Sequence, residues 1–169
     1  GSDGSLESVL NAFNTNGSDI YTNNIWALTQ LYYRLWLYYH LAGNNTQFYP
    51  RLFELLRQNQ MQGGYNVSGD VSTLHFYKLT CQAAGEDLTE FFRAHGYFSV
   101  MEDRFVGDYS NSIYNVSQAM IDAAIAEVKA MNYPENLSII FINDDDETAT
   151  YLQHDGETAR EIYLRAFQG

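Results

Sequence analysis

The 169-residue sequence has few of the residues on which several classes of protein depend. Its single cysteine, Cys81, excludes an internal disulfide and a zinc site made of cysteines. Two prolines and 12 glycines exclude collagen-like and low-complexity sequences. Only 9 Lys and Arg stand against 21 Asp and Glu, which gives a net charge of −12. That charge argues against nucleic-acid binding, which needs a basic surface, and against docking on anionic lipid.

Apolar residues, by contrast, are abundant. They make up 46% of the chain and include 14 Tyr, 10 Phe and 2 Trp, which is enough to bury a core. Their uninterrupted runs are too short to cross a bilayer, so no membrane span is predicted.

Helical patterns fill the first part of the chain. Residues 24–42 are apolar on nearly every side, which is typical of a buried core helix, and Gly43 predicts its end. Spacings of three and four residues predict helices over 46–59 and 71–84, and Asp87 predicts the cap of a short helix that follows it. The residues predicted to point inward from these two longer helices are Tyr49, Leu52, Phe53 and Leu56, and Leu74, Tyr77, Cys81 and Ala84.

The pattern changes after residue 96. Residues 97–109 and 113–116 have the short, apolar-rich character of strands. Ser117 predicts the cap of a helix that ends near residue 131, and residues 137–142 form an apolar segment that predicts a strand.

These segments predict a mainly α fold. We expect a helical bundle in residues 20–96, followed by a small α+β tail in residues 97–169 that ends in a helix over 156–167. Residues 1–19 are expected to form a loop with a short helix, and their first residues resemble a cloning remnant.

Candidate binding residues lie on the first long helix. His40 shares a helical face with Tyr33 and Trp36, and this strip of rings could line a cleft and stack on sugar or peptide. His75, in the first turns of the third helix, is a second candidate for the same groove. The competing interpretation makes both histidines structural, because aromatic rows at helical spacing also occur in cores.

Motifs of catalysis and metal binding are missing from the sequence. It contains no HExxH, no pair of histidines at i, i+4 spacing, no Gly-x-Ser-x-Gly and no phosphate-binding loop. We therefore predict no catalytic residue and no metal ligand in this chain. The acidic run at Asp144, Asp145, Asp146 and Glu147 fits either a calcium loop or a solvated turn, and the sequence leaves that choice open.

A resemblance to a known family lies in the packing residues. Residues 24–134 resemble the stretch that follows the zinc site in enhancin-like metallopeptidases, as in their gut-bacterial members. The residues that carry the resemblance are Trp26-x5-Tyr32-x5-Tyr38-Tyr39-His40-Leu41-Ala42-Gly43, Phe48-Tyr49-Pro50-Arg51-Leu52, Leu74-x-Phe76-x-Lys78-Leu79-x-Cys81 and Asp87-Leu88-Thr89-Glu90-Phe91-Phe92-x4-Gly96-Tyr97-Phe98.

The resemblance implies a gluzincin, in which a zinc-activated water cuts protein, often mucin-type glycoprotein, outside the cell. The zinc ligands of such enzymes lie on an HExxH helix and a downstream Glu, and this sequence holds no such motif. Zinc is thus expected in the parent enzyme and not in this chain. The chain would be the helical subdomain that forms one wall of the substrate cleft, inactive alone.

Its expected partners are the N-terminal catalytic half of the parent protein and a protein or glycoprotein substrate. Its expected location is extracellular or at the cell surface. Two other functions stay open: a glycan- or glycoprotein-binding module without catalysis, and an unrelated helical enzyme that uses carboxylates.

Overall fold

The computed structural model describes residues 21, 31–63, 69–107 and 111–141. Four predicted segments lie wholly or partly outside these residues: the short helix within 1–19, the beginning of the helix over 24–42, the acidic run at 144–147 and the helix over 156–167.

The end of the first predicted helix departs from α geometry. Residues 31–35 are α-helical, and the chain continues as a π-helix over Trp36–Leu41. Its wider turn shows in the bond from the Ala42 N–H to the carbonyl of Leu37, five residues back, at 2.9 Å. The helix ends, as predicted, at Gly43, whose φ of 76° lies in the left-handed region that glycine enters without strain.

The next helix, which we label α1, spans Phe48–Gly63. It packs against the first helix, because the chain reverses between them. The Tyr49 hydroxyl donates to the carbonyl of Tyr32, 17 residues earlier, at 3.2 Å. Pro50 lies in the first turn, where its missing N–H removes no helical bond. The helix runs past its predicted end at residue 59, because Gln60, Met61 and Gln62 are good helix formers.

The third helix, α2, spans Gly69–Ala84 and is buried along its predicted face. It begins before the predicted start, so Asp70 lies inside its first turn. Gly85 ends the helix with a φ of 69°, and its N–H donates to the carbonyl of Cys81 at 2.8 Å. The four residues predicted to point inward are all buried: Leu74, Tyr77, Cys81 and Ala84.

A short helix, α3, spans Thr89–Ala94. Its N-cap is Leu88, one residue after the predicted Asp87, and the Asp87 carboxylate accepts the N–H of Thr89, the first helical residue, at 2.9 Å. Glu90 lies in the first turn and pairs with Arg93, one turn later, at 3.3 Å. The helix ends at Gly96, whose φ is 65°.

Strands β1, Met101–Gly107, and β2, Asn111–Val116, form an antiparallel hairpin. Its buried end is the pair Met101 and Val116, and its pairing is irregular between Met101 and Arg104. Asp103 lies in this irregularity at a φ of 44°, and its N–H donates to the Asn115 side chain at 2.8 Å.

The last α-helix, α4, spans Gln118–Ala130 and packs on α2. Ser117 caps it as predicted, with its hydroxyl oxygen accepting the Met120 N–H at 3.2 Å. Its inner residues Ile121, Ala124 and Val128 are buried.

The segment over 137–142 was predicted to be a strand, and that prediction is wrong. It forms a 3₁₀-helix over Ser138–Phe141. The side chain of Asn136 accepts the Ile139 N–H at 3.3 Å, and the Ile140 N–H donates to Leu137 at 3.2 Å, so local bonds fold the segment into a turn. The sheet of the described residues contains only β1 and β2.

A parallel pair of backbone bonds ties the turn after α2 to the segment after α4. The Asp87 N–H donates to Pro134 at 2.8 Å, and the Asn136 N–H donates to Asp87 at 3.1 Å. Burial raises the pKa of the Asp87 carboxyl, but hydrogen bonds from Lys129 and Thr89 outweigh burial and hold that pKa below its usual range. The two backbone bonds fix the turn after α2 to the segment after α4.

The predicted fold class is confirmed: the protein is mainly α with a small antiparallel hairpin. Its core is continuous from Tyr21 and Leu31 to Ile139, so the helical part and the tail share it. The boundary predicted at residue 96 stays a prediction. Within the described ranges, no helix is long and apolar enough to cross a membrane.

Candidate functional site

An open hollow of about 520 Å³ lies between the first helix and α1. We call it the aromatic groove, and define it by its six lining residues: Tyr32, Tyr33, Trp36, His40, Tyr49 and Phe53. The groove unites three of the four residues predicted to line a substrate groove, Tyr33, Trp36 and His40.

One wall of the aromatic groove is a column of nearly parallel rings. Tyr33 and Trp36 have ring centroids 5.7 Å apart and planes inclined by 22°. Trp36 and His40 follow at 6.1 Å and 30°. Trp36 and His40 both belong to the π-helix, and such π-turns are rare and often occur at functional sites.

The opposite wall comes from the first turns of α1. Tyr49 and Phe53, one helical turn apart, have ring centroids separated by 5.9 Å. Phe53 was predicted to point inward, and that prediction is wrong, since its side chain is 63% exposed. Burial raises the pKa of Tyr49 to about 12, so this phenol is neutral at physiological pH.

The chemistry of the groove is that of binding. Its six lining residues include no carboxylate, lysine or arginine, so they lack the paired acids that hydrolysis of a glycosidic bond requires. Aromatic faces offer flat apolar surfaces, and His40, which is exposed, offers ring nitrogens for hydrogen bonds. A groove of this kind suits a ligand with one apolar face and polar edges.

His75 is not among the lining residues. It lies on α2, and burial together with the charge of Lys78 lowers its pKa, which favours the neutral ring. Its neighbour Phe76 contacts the edge of Tyr32 at a centroid distance of 5.4 Å. A direct role for His75 in a groove stays a prediction.

Three lining residues were not singled out from the sequence as groove residues: Tyr32, Tyr49 and Phe53. Tyr49 and Phe53 approach the first helix only because the chain reverses after Gly43. The sequence did contain one signal for them, the wide apolar stripe of α1. Leu52 fills the buried part of this stripe, which leaves Phe53 exposed beside it.

Among the residues that the structure describes, the other nucleophile and metal candidates do not form a site. Cys81 is fully buried, and burial raises the pKa of its thiol to about 12, which makes it an inert core residue as predicted. The part of the chain that the structure describes contains no group of three His, Cys, Asp or Glu side chains able to hold a metal ion. These residues therefore do not fit a zinc centre.

The fold is found in larger metallopeptidases. A metallopeptidase solved in complex with Tn antigen superposes with a TM-score of 0.73 at 26% identity, over 89% of this chain and 29% of that one. A metallopeptidase from Bacteroides thetaiotaomicron gives a TM-score of 0.72 at 26% identity, over 86% of this chain and 25% of that one. No protein-family model and no curated protein matches the sequence.

This likeness confirms the coarser part of the resemblance seen in the sequence. The chain has a metallopeptidase-like fold. It spans 29% of the length of the first of these metallopeptidases and 25% of the length of the second.

Proposed function

We propose that this chain is the helical part of a secreted, enhancin-like zinc metallopeptidase that acts on glycoproteins. In this proposal the aromatic groove forms one wall of the substrate cleft. The observation that carries it is the column of Tyr33, Trp36 and His40, open to solvent in a fold shared with metallopeptidases. One of those metallopeptidases was solved with Tn antigen.

A sugar attached to a peptide matches the chemistry of the aromatic groove. One face of a pyranose ring carries mainly C–H groups, which pack on the face of an indole or phenol ring. Its edge carries hydroxyl groups, which can exchange hydrogen bonds with the exposed imidazole of His40. Apolar contact gives affinity, and the few polar groups fix the orientation of the ligand.

Hydrolysis belongs to the rest of the parent enzyme. Zinc in such an enzyme would activate a water molecule, but the described residues do not fit zinc, and we assign no step of bond cleavage to them. The role of this chain is to bind and orient substrate for the catalytic half. We expect the isolated chain to hydrolyse no protein.

Removing the Trp36 ring tests the proposal. One wall of a cleft binds weakly by itself, so we expect the chain to bind a Tn-antigen glycopeptide with a Kd of about 1 mM. Trp36→Ala removes the central ring of the column and should raise that Kd about tenfold, the equivalent of about 1.4 kcal/mol. NMR shift titration of both proteins measures this difference.

The matched control is Phe105→Ala, which removes a 58% exposed ring from β1 that does not line the groove. It should bind like wild type, and the same peptide without its sugar should bind no variant measurably. Equal affinities of Trp36→Ala and wild type would contradict the proposal.

The alternative is a glycan- or glycoprotein-binding module without catalysis. The aromatic groove favours it as the second candidate, because rings line the groove and a ligand can bind to them without a catalytic group. A complete binding site would give the isolated chain a Kd of about 1 μM or tighter. The same titration therefore separates a cleft wall from a complete binding module.

A further inference from the structure

We propose that Tyr39 and Glu86 are positioning residues that hold the two walls of the aromatic groove in register. The inference rests on the proposed function, because it concerns the same groove. Neither residue is among the six that line the groove.

Tyr39 lies inside the π-helix, between Trp36 and His40 in the sequence, and points away from the groove. Its side chain is 1% exposed. Its hydroxyl donates to a carboxylate oxygen of Glu86 at 2.5 Å, which joins the π-helix to the turn after α2. Burial, and then the hydrogen bond to Glu86, raise the pKa of Tyr39, so the phenol keeps its proton and acts as the donor.

The ring of Tyr39 also supports the second wall. It stacks on Phe48 with a centroid distance of 4.3 Å and an angle of 22°. Phe48 is fully buried and begins α1, and its ring meets Tyr49 edge to face at 5.0 Å. One buried side chain thereby connects the helix of Trp36 and His40 to the helix of Tyr49.

Glu86 is held from several sides. The Asn136 side chain donates to the same carboxylate oxygen at 2.8 Å. The Glu86 N–H donates to the carbonyl of Cys81 at 3.3 Å, and the backbone bonds of Asp87 fix the next residue. The carboxylate is therefore an anchored acceptor, and Tyr39 is the group that it positions.

A π-turn is an uncommon helical geometry, and in the proposal the contacts of Tyr39 with Glu86 and Phe48 hold this one. Without the bond from Tyr39 to Glu86, the turn is free to return to α geometry. That change would rotate Trp36 relative to His40 and release the stack on Phe48. The groove would lose its shape while the core stays folded.

The decisive comparison is Tyr39→Phe against Tyr77→Phe. Tyr77 is also fully buried, and its hydroxyl bonds to Thr89 at 2.7 Å, so both variants delete one buried hydroxyl. Of these two tyrosines, Tyr39 belongs to the π-helix and Tyr77 belongs to α2. We expect Tyr39→Phe to weaken binding of the Tn-antigen glycopeptide about fivefold to tenfold, and Tyr77→Phe to leave it unchanged.

A structural readout accompanies the affinities. The nuclear Overhauser effect between the indole of Trp36 and the imidazole of His40 reports the ring column without any ligand. We expect it to weaken in Tyr39→Phe and to persist in Tyr77→Phe.

Two substitutions at Glu86 make the test independent of Tyr39. Glu86→Gln keeps a carbonyl oxygen that can accept from Tyr39 and should keep the ring contact and the affinity. Glu86→Leu has no acceptor and should lose both.

Unchanged ring contacts in Tyr39→Phe or Glu86→Leu would overturn the positioning role. If the wild-type chain binds no glycopeptide, the proposed function fails, and the ring contacts still decide the positioning role.

Discussion

Replacing Phe92 with alanine is expected to lower the free energy of unfolding by about 3 to 5 kcal/mol. Phe92 is fully buried on α3. Its ring centroid lies 5.1 Å from that of Tyr77, 4.8 Å from that of Tyr97 and 6.5 Å from that of Phe98. These rings come from α2, α3 and the chain after it, so the substitution leaves a cavity where these elements meet.

Urea unfolding followed by circular dichroism measures this loss. Phe105→Ala serves as the control, because the Phe105 ring is 58% exposed and its removal should change stability by less than about 1 kcal/mol. A loss below about 1 kcal/mol for Phe92→Ala would contradict the described core.

Acid is expected to destabilise the protein through His95. The His95 side chain is 1% exposed, and its Nδ1–H donates to the carbonyl of Phe91 at 2.7 Å. Its Nε2 has no hydrogen-bond partner in the described structure. Burial lowers the pKa of His95 to about 4, the Phe91 bond opposes that change, and the charge of Arg34 adds to it.

The direction of the pH effect follows from this lowered pKa. An unfolded histidine, with a pKa of 6.5, takes up its proton before the folded one does. The contribution of His95 to the free energy of unfolding is therefore fully present above about pH 6.5. It falls by about 3 kcal/mol as the pH drops to about 4.

Urea unfolding at pH 7 and at pH 4.5 measures the effect in wild type and in His95→Gln. The glutamine amide carries no titrating proton, so we expect the variant to lose less stability on acidification. A pH dependence identical to that of wild type would show that His95 does not bury a neutral ring.

Sequence patterns predicted the elements that depend on local chemistry. Gly43 ends a helix at positive φ and Ser117 begins one, because each needs only its own neighbours to do so. The buried face of α2 followed from its helical spacing in the same way.

The errors arose where distant residues decide the structure. Residues 137–142 look like a strand by composition, but Ser138–Phe141 form a 3₁₀-helix in which the Asn136 side chain accepts the Ile139 N–H. A strand also needs a partner strand, which sequence spacing does not supply. Phe53 fits the apolar stripe of α1, yet its side chain is exposed because it lines a groove that is open to solvent.

The candidate site was partly predictable for the same reason. Tyr33, Trp36 and His40 share one helix, so their spacing alone placed them together. Tyr49 and Phe53 belong to the next helix, and the support from Glu86 comes from 47 residues beyond Tyr39, which no local pattern contains.

The proposed function requires that a glycosylated substrate binds at the aromatic groove. NMR shift mapping of the labelled chain with a Tn-antigen glycopeptide tests it most directly. We expect the largest shifts at the Trp36 indole, His40 and Tyr49, and none of these shifts with the peptide that lacks the sugar. Shifts centred elsewhere would contradict it, for example in another hollow that Arg51, Gln58 and Gln82 help to line.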